Sequence, residues 1–375
     1  MINKLKSLYL ERKLDIILSK TIILFFNLFA LKSVFKSFHI TNIPYSGLIV
    51  ICLVLFVPFI ITIKTIKKTE LFFILFITSL LFYSFISAFS LVTWKYFLEL
   101  LMLPISLVLG YFVSGHTRYY SFSVELFICL LFASILIIDR GYIYASGLNY
   151  LLLSNILVFG FVVASFRFDS RALTFLLQLV FMYASLMVQA RFSFIFIMTV
   201  FIIFWLKKSF FITCIFLFLL LLFAAQLVEF LPQMTISRMI AQGLQSTSRM
   251  EILEIYFNKF YGFWLTGVGI GQSPLLFSNI TEAYVHNFIL ELISEVGVLS
   301  LALIIPMLLA GLASVAALFS KKQDGQHVPV IISVLFIFWF LTFSKSFSVY
   351  DSYVLFFYGG LVLGAYRLFR TTTQK

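Results

Sequence analysis

Apolar runs of about 18 residues or more recur along this 375-residue chain, from just after Lys13 to about residue 369. One long polar stretch, 229–285, interrupts them. A run of that length reaches across the ~30 Å hydrocarbon core of a bilayer as a helix rising 1.5 Å per residue. Inside hydrocarbon every backbone polar group must be satisfied within the structure, so only helices and closed barrels survive. A barrel would alternate in segments of about ten residues, a pattern not seen here. The sequence therefore predicts an all-α, polytopic integral membrane protein. Composition agrees: 62% of residues are hydrophobic and 11% charged, where soluble domains carry about half and about a quarter.

The first span is expected in the apolar run after the basic Met1–Lys13 segment, which shows no small-residue cleavage site. Further spans are expected near 47–63, 71–91, 95–114, 121–138, 148–166, 172–189, 192–206 and 210–228. After the 229–285 loop, the last three fall near 286–319, 329–347 and 352–369, which makes twelve within a single membrane domain, 1–375. With both termini on one side, that side collects 17 Lys and Arg outside the spans, against 6 on the opposite side outside the long loop. The positive-inside rule makes the first side cytoplasmic and turns the long loop away from it. The same placement explains the net charge of +12 without nucleic acid. Cys52, Cys129 and Cys214 all lie in apolar runs, which gives neither a disulfide framework nor a metal spacing. No metal and no cofactor is expected.

Chemistry belongs where polar residues meet the outer membrane boundary. Arg140 and Arg191 sit in outer turns between spans, where an unpartnered charge near hydrocarbon costs several kcal/mol. Arg140 can instead snorkel to lipid phosphate. In the loop, Ser246, Thr247 and Ser248 read as a helix start that places Arg249 in the first turn, and Arg238 precedes it. Gly267, Gly269 and Gly271 follow, but without the G-x-G-x-x-G order of a dinucleotide site, so they read as a tight turn. His286 opens the tenth span, and Asn287, Glu291 and Glu295 follow at a spacing that puts them on one helical face. The two carboxylates either join helices through hydrogen bonds or serve a site. Gly297 reads as a break between a short outer helix and the span proper. An imidazole at the water boundary, titrating near neutrality, suits proton removal from a hydroxyl.

The order S-x-R (here S-R, with no intervening residue), an amphipathic helix with aromatics, G-x-G-x-G, then H-N-x-x-L-x-x-x-x-E-x-G resembles the O-antigen polymerase and O-antigen ligase superfamily of bacterial surface-polysaccharide enzymes. It is carried here by Ser248, Arg249, Gly267–Gly271, His286, Asn287, Leu290, Glu295 and Gly297. Ser300 stands where family members often carry a second glycine. The resemblance implies a metal-independent glycosyltransferase at the outer face of the bacterial inner membrane. Its donor would be an oligosaccharide on undecaprenyl pyrophosphate, and its partners membrane lipid, a flippase and a chain-length regulator. His286 would be the general base, with Glu291 the rival. Arg191 and Arg249 would hold pyrophosphate, joined by Arg238, Arg140 and Asn287 as further substrate contacts. The compact loop favours polymerase over ligase. A transporter could share the span count, but its longest loop is commonly central and inside, whereas the middle connection here is the short Arg167–Arg171.

Overall fold

A computed structural model describes residues 2–30, 91–138, 150–188, 190–211, 213, 214, 218, 247–277, 287–319, 327–345, 348 and 351–373. Among these residues there is helix and connecting turn but no strand. The helices are α1 (Ile2–Ala30), α2 (Leu91–Val113), α3 (Ser123–Ile138), α4 (Tyr150–Arg167), α5 (Arg171–Met187) and α6 (Arg191–Lys208). After them come α7 (Thr247–Lys259), α8 (Phe288–Val296), α9 (Leu301–Phe319), α10 (His327–Phe343) and α11 (Tyr353–Thr373). Among the described residues two stretches are long and apolar enough to cross a membrane, Glu99–Thr117 and Phe288–Ala316. Shorter apolar helices lie at Ser123–Ile138, Leu153–Arg167, Arg171–Met187, Val328–Phe343 and Tyr353–Ala365. The expected spans at 47–63 and 71–91 lie outside the described residues, as does most of 210–228.

Among the described residues α2 and α11 approach closely along their length, and small residues make it possible. Helices that meet in an apolar surround gain little from hydrophobic burial, so backbone approach and dispersion must hold them. A side chain at Gly360 would run into the Leu107 carbonyl, one at Gly364 into Ser114 and the Tyr111 carbonyl, and one at Gly110 into the Phe357 carbonyl. Gly360 and Gly364 are four residues apart and so share one face of α11. Contacts rise together along both chains, so α2 and α11 run parallel.

A buried polar clasp ties α1, α3 and α11 together. Tyr358 donates to Asn27 Oδ1 at 2.6 Å, and Asn27 Nδ2 donates to Glu125 Oε1 at 2.7 Å. The Tyr120 hydroxyl, from the turn before α3, donates to the same Glu125 oxygen. A second clasp joins α4, α5 and α6, where Trp205 Nε1 donates to Gln178 Oε1 at 2.7 Å and Gln178 Nε2 donates to Ser165 Oγ at 2.9 Å. Buried polar groups without partners are costly, and satisfied ones fix helix register.

The two ends of the bundle differ. At one, Ser19 and the His116 ring are 3.2 Å apart, and Arg167 donates to Ser123 Oγ at 2.7 Å. The other gathers the starts of α2, α6 and α11, the end of α10, and the loop segment that carries α7.

Candidate functional site

The seam between the loop and the broken helix α8–α9 is the centre of that second end. Three loop glycines take positive φ: Gly267 at 74°, Gly269 at 102° and Gly271 at 75°. That conformation suits glycine because it lacks a Cβ. It turns successive N–H groups onto the end of α8: Val268 N–H donates to the Ser294 carbonyl at 2.7 Å, and Gly269 N–H to the Glu295 carbonyl at 3.1 Å. The last carbonyls of a helix lack intrahelical donors, and here the turn supplies them.

Gly297 answers from the other side. It ends α8 at φ 65° and ψ −147°, and a one-turn 3₁₀ segment, Gly297–Ser300, joins it to α9. The break expected at Gly297 is therefore present. Val298 N–H then donates to the Leu265 carbonyl at 3.2 Å. A Cβ at Gly267 would strike the Glu295 carbonyl, and one at Gly297 the Leu265 carbonyl. The seam is closed backbone to backbone. Gly271 extends it, lying against the Tyr96 ring at the start of α2.

Side chains reinforce the same seam. Helix α7 begins at Thr247, where the Ser-Thr-Ser signal places it, and its Ile252 and Tyr256 pack with Phe263 of the turn beyond it in a small buried cluster that reaches Leu290 of α8. The Tyr256 hydroxyl donates to the Leu290 carbonyl at 3.1 Å, and Lys259 Nζ to the Leu276 carbonyl at 2.6 Å. Burial raises the Tyr256 phenol pKa, which keeps it a neutral donor.

Both carboxylates of α8 are buried, Glu291 at 2% exposed and Glu295 at 0%. Glu295 Oε1 accepts from Ser273 Oγ of the loop at 2.8 Å. Glu291 Oε1 accepts from Ser348 Oγ at 2.8 Å, just after the end of α10. Each carboxylate thus joins α8 to another segment through a hydrogen bond. Asn287 departs from the single-face expectation. It precedes the helix as its cap, and Oδ1 accepts from the N–H groups of Ile289 and Leu290 at 3.0 and 3.2 Å. Asparagine outcompetes most residues for this position because its oxygen satisfies orphan N–H donors.

The remaining expected site residues fall as follows. Arg191 is the first residue of α6 and Arg249 the third of α7. Phe192, next to Arg191, lies under Lys345 Nζ, 4.9 Å from the ring centre, in the turn that leads to Ser348. So the start of α6, the turn after α10 and the first turn of α8 lie at one end of the bundle. His286, Arg238 and Arg140 lie outside the described residues. Among the described residues no group of three or more His, Cys, Asp or Glu side chains could hold a metal ion.

Sequence reasoning missed Ser273, Ser348 and Tyr256. Tyr256 is spaced four residues from Ile252 on the apolar face of α7 and was legible as an anchor. A lone serine in a turn carries no signal of its carboxylate partner. No family model matches the chain, and no curated protein matches it in sequence.

Proposed function

We propose that this chain is a twelve-span inner-membrane glycosyltransferase that polymerises lipid-linked O-antigen or similar surface-polysaccharide repeat units on the periplasmic face. The single observation that carries the reading is the closed seam itself. It fastens the turn that follows α7, the helix that carries Arg249 in its first turn, to the end of α8, the helix that begins two residues after His286 in the sequence. Transfer between two large, membrane-tethered substrates gains from such rigidity, because positioned reacting groups avoid an entropy cost of about 7–11 kcal/mol.

In the proposed reaction a sugar hydroxyl of the incoming repeat unit attacks the anomeric carbon of the growing glycan. The new C–O bond forms as the anomeric carbon–pyrophosphate bond breaks. The electron pair leaves with undecaprenyl pyrophosphate, and the hydroxyl proton passes to His286. Arg191 and Arg249 hold the pyrophosphate, since guanidinium offers a fixed charge and a planar fork matched to phosphate oxygens. Arg238 and Arg140 are auxiliary contacts in this scheme. Glu291, already engaged with Ser348, is the weaker candidate for base.

Deleting the gene tests the reading. Surface lipopolysaccharide that carries one repeat unit per molecule is the expected result. Bare core with accumulated lipid-linked polymer would make the chain a ligase. A block in export of single repeat units would make it a transporter.

A further inference from the structure

Helix α7 and the turns that follow it carry exposed apolar residues that the buried cluster does not use. Ile252, Tyr256 and Phe263 turn inward, whereas Phe257, Tyr261, Trp264 and Leu265 lie exposed beside them, Tyr261 at 87%. Glu254 and Asn258, one helical turn apart, form an exposed polar face. Phe257 is on α7, Tyr261 on the 3₁₀ turn that follows it, and Trp264 and Leu265 in the turn beyond, so the exposed edge is gathered where the helix ends and the chain turns towards the seam.

The position of this edge carries the argument further. Leu265 is joined through its carbonyl to Val298 N–H, at the head of α9. From Val298 an exposed stripe descends the helix through Leu301, Ile305, Leu308 and Leu312, at spacings of three and four residues. That is one continuous face of a stretch apolar enough to cross a membrane. The aromatic edge of the loop therefore continues the lipid-facing stripe at its end, at the level where Trp and Tyr concentrate in membrane proteins.

We infer that Phe257, Tyr261, Trp264 and Leu265 form a lipid-binding edge that lies in the headgroup–acyl boundary of the bilayer and binds phospholipid. This inference rests on the membrane reading above but not on the transferase activity. Its consequence for that activity is positional: the edge sets the height of Arg249 relative to the headgroup layer, where a lipid-linked pyrophosphate must lie.

Two measurements test it on the full-length chain in phosphatidylethanolamine–phosphatidylglycerol nanodiscs. With Tyr261→p-benzoylphenylalanine, illumination is expected to yield phospholipid adducts by mass spectrometry. Crosslinks to the chain itself, to a second copy or to added lipid-linked glycan instead, or no adduct at all, would overturn the inference. In the second measurement Trp264 is left as the sole tryptophan by Trp94→Phe, Trp205→Phe and Trp339→Phe. Its emission is expected to be quenched more by phospholipid brominated near the carbonyl than near the chain end. Emission unchanged by either lipid would place the edge in water or against protein and refute it. Trp205 donates to Gln178, so its replacement can cost the fold, and the crosslinking arm stands independently. Lipid adducts in a chain that makes no polymer would keep this inference and discard the transferase, and polymer without lipid adducts would do the reverse.

Discussion

Gly297→Ala should open the loop from the bundle. The backbone there, φ 65° and ψ −147°, belongs to a region that only glycine occupies at ease, and a side chain adds about 1–3 kcal/mol of strain. Its Cβ would also meet the Leu265 carbonyl, so relief requires the seam to part. Parting it gives up the bonds Val268 to Ser294, Gly269 to Glu295 and Val298 to Leu265. At about 0.5–1.5 kcal/mol net each, these bonds hold the closed seam by about 1.5–4.5 kcal/mol, and a strain of about 1–3 kcal/mol on the closed form alone offsets much of that. The opposing effect, a stiffer unfolded chain, is about 0.4–1 kcal/mol and loses. Every 1.4 kcal/mol is tenfold, so the open population should rise at least about 5- to 10²-fold. Limited proteolysis in nanodiscs reads that population when opening is fast relative to cleavage. Gly262→Ala is the matched control, because a Cβ there meets nothing within 4 Å and its φ is not positive. Cleavage of Gly297→Ala at the parent rate, with Gly262→Ala also unchanged, would refute the seam as what holds the loop.

Three further outcomes are expected. Ser273→Ala removes a donor from the fully buried Glu295, so loop opening should become easier by about 1–3 kcal/mol in the same proteolysis assay. Gly360→Leu forces a side chain into the Leu107 carbonyl and should abolish monodisperse protein on size exclusion, whereas Gly311→Ala, whose nearest neighbour is Phe336 at 3.9 Å, should be tolerated. Arg191→Lys and Arg249→Lys keep the charge but lose the fork, and each should stop polymer formation in cells at parent expression levels.

Much of this architecture was legible because it obeys periodic rules. Apolar length marked helices at α2 to α6 and α9 to α11, and Ser-Thr-Ser marked the start of α7 to within a residue. Gly297 was legible as a break, since a glycine after a polar helical segment and before a long apolar run has few other uses. The glycine turn was legible as a turn, but not as a cap on α8, because its partners lie more than twenty residues on and are backbone carbonyls of arbitrary residues. Asn287 was assigned to the face of Glu291 by counting fours. Its side chain instead serves the helix start, a choice that depends on where the helix begins. The Glu125 clasp escaped notice since it joins residues 98 and 331 positions apart, and nothing local announces it.

We propose that transfer runs at the loop-bearing end of the bundle with His286 as base. Its most direct test is polymerisation of purified lipid-linked repeat units by the purified chain in detergent, with membrane insertion checked separately. A positioned base contributes about 10²- to 10⁴-fold in rate. A ladder of products is expected from the parent, none from His286→Ala, and a weaker ladder from Glu291→Gln. A His286→Ala protein that polymerises at close to the parent rate while Glu291→Gln is dead would contradict it and make the buried carboxylate the base.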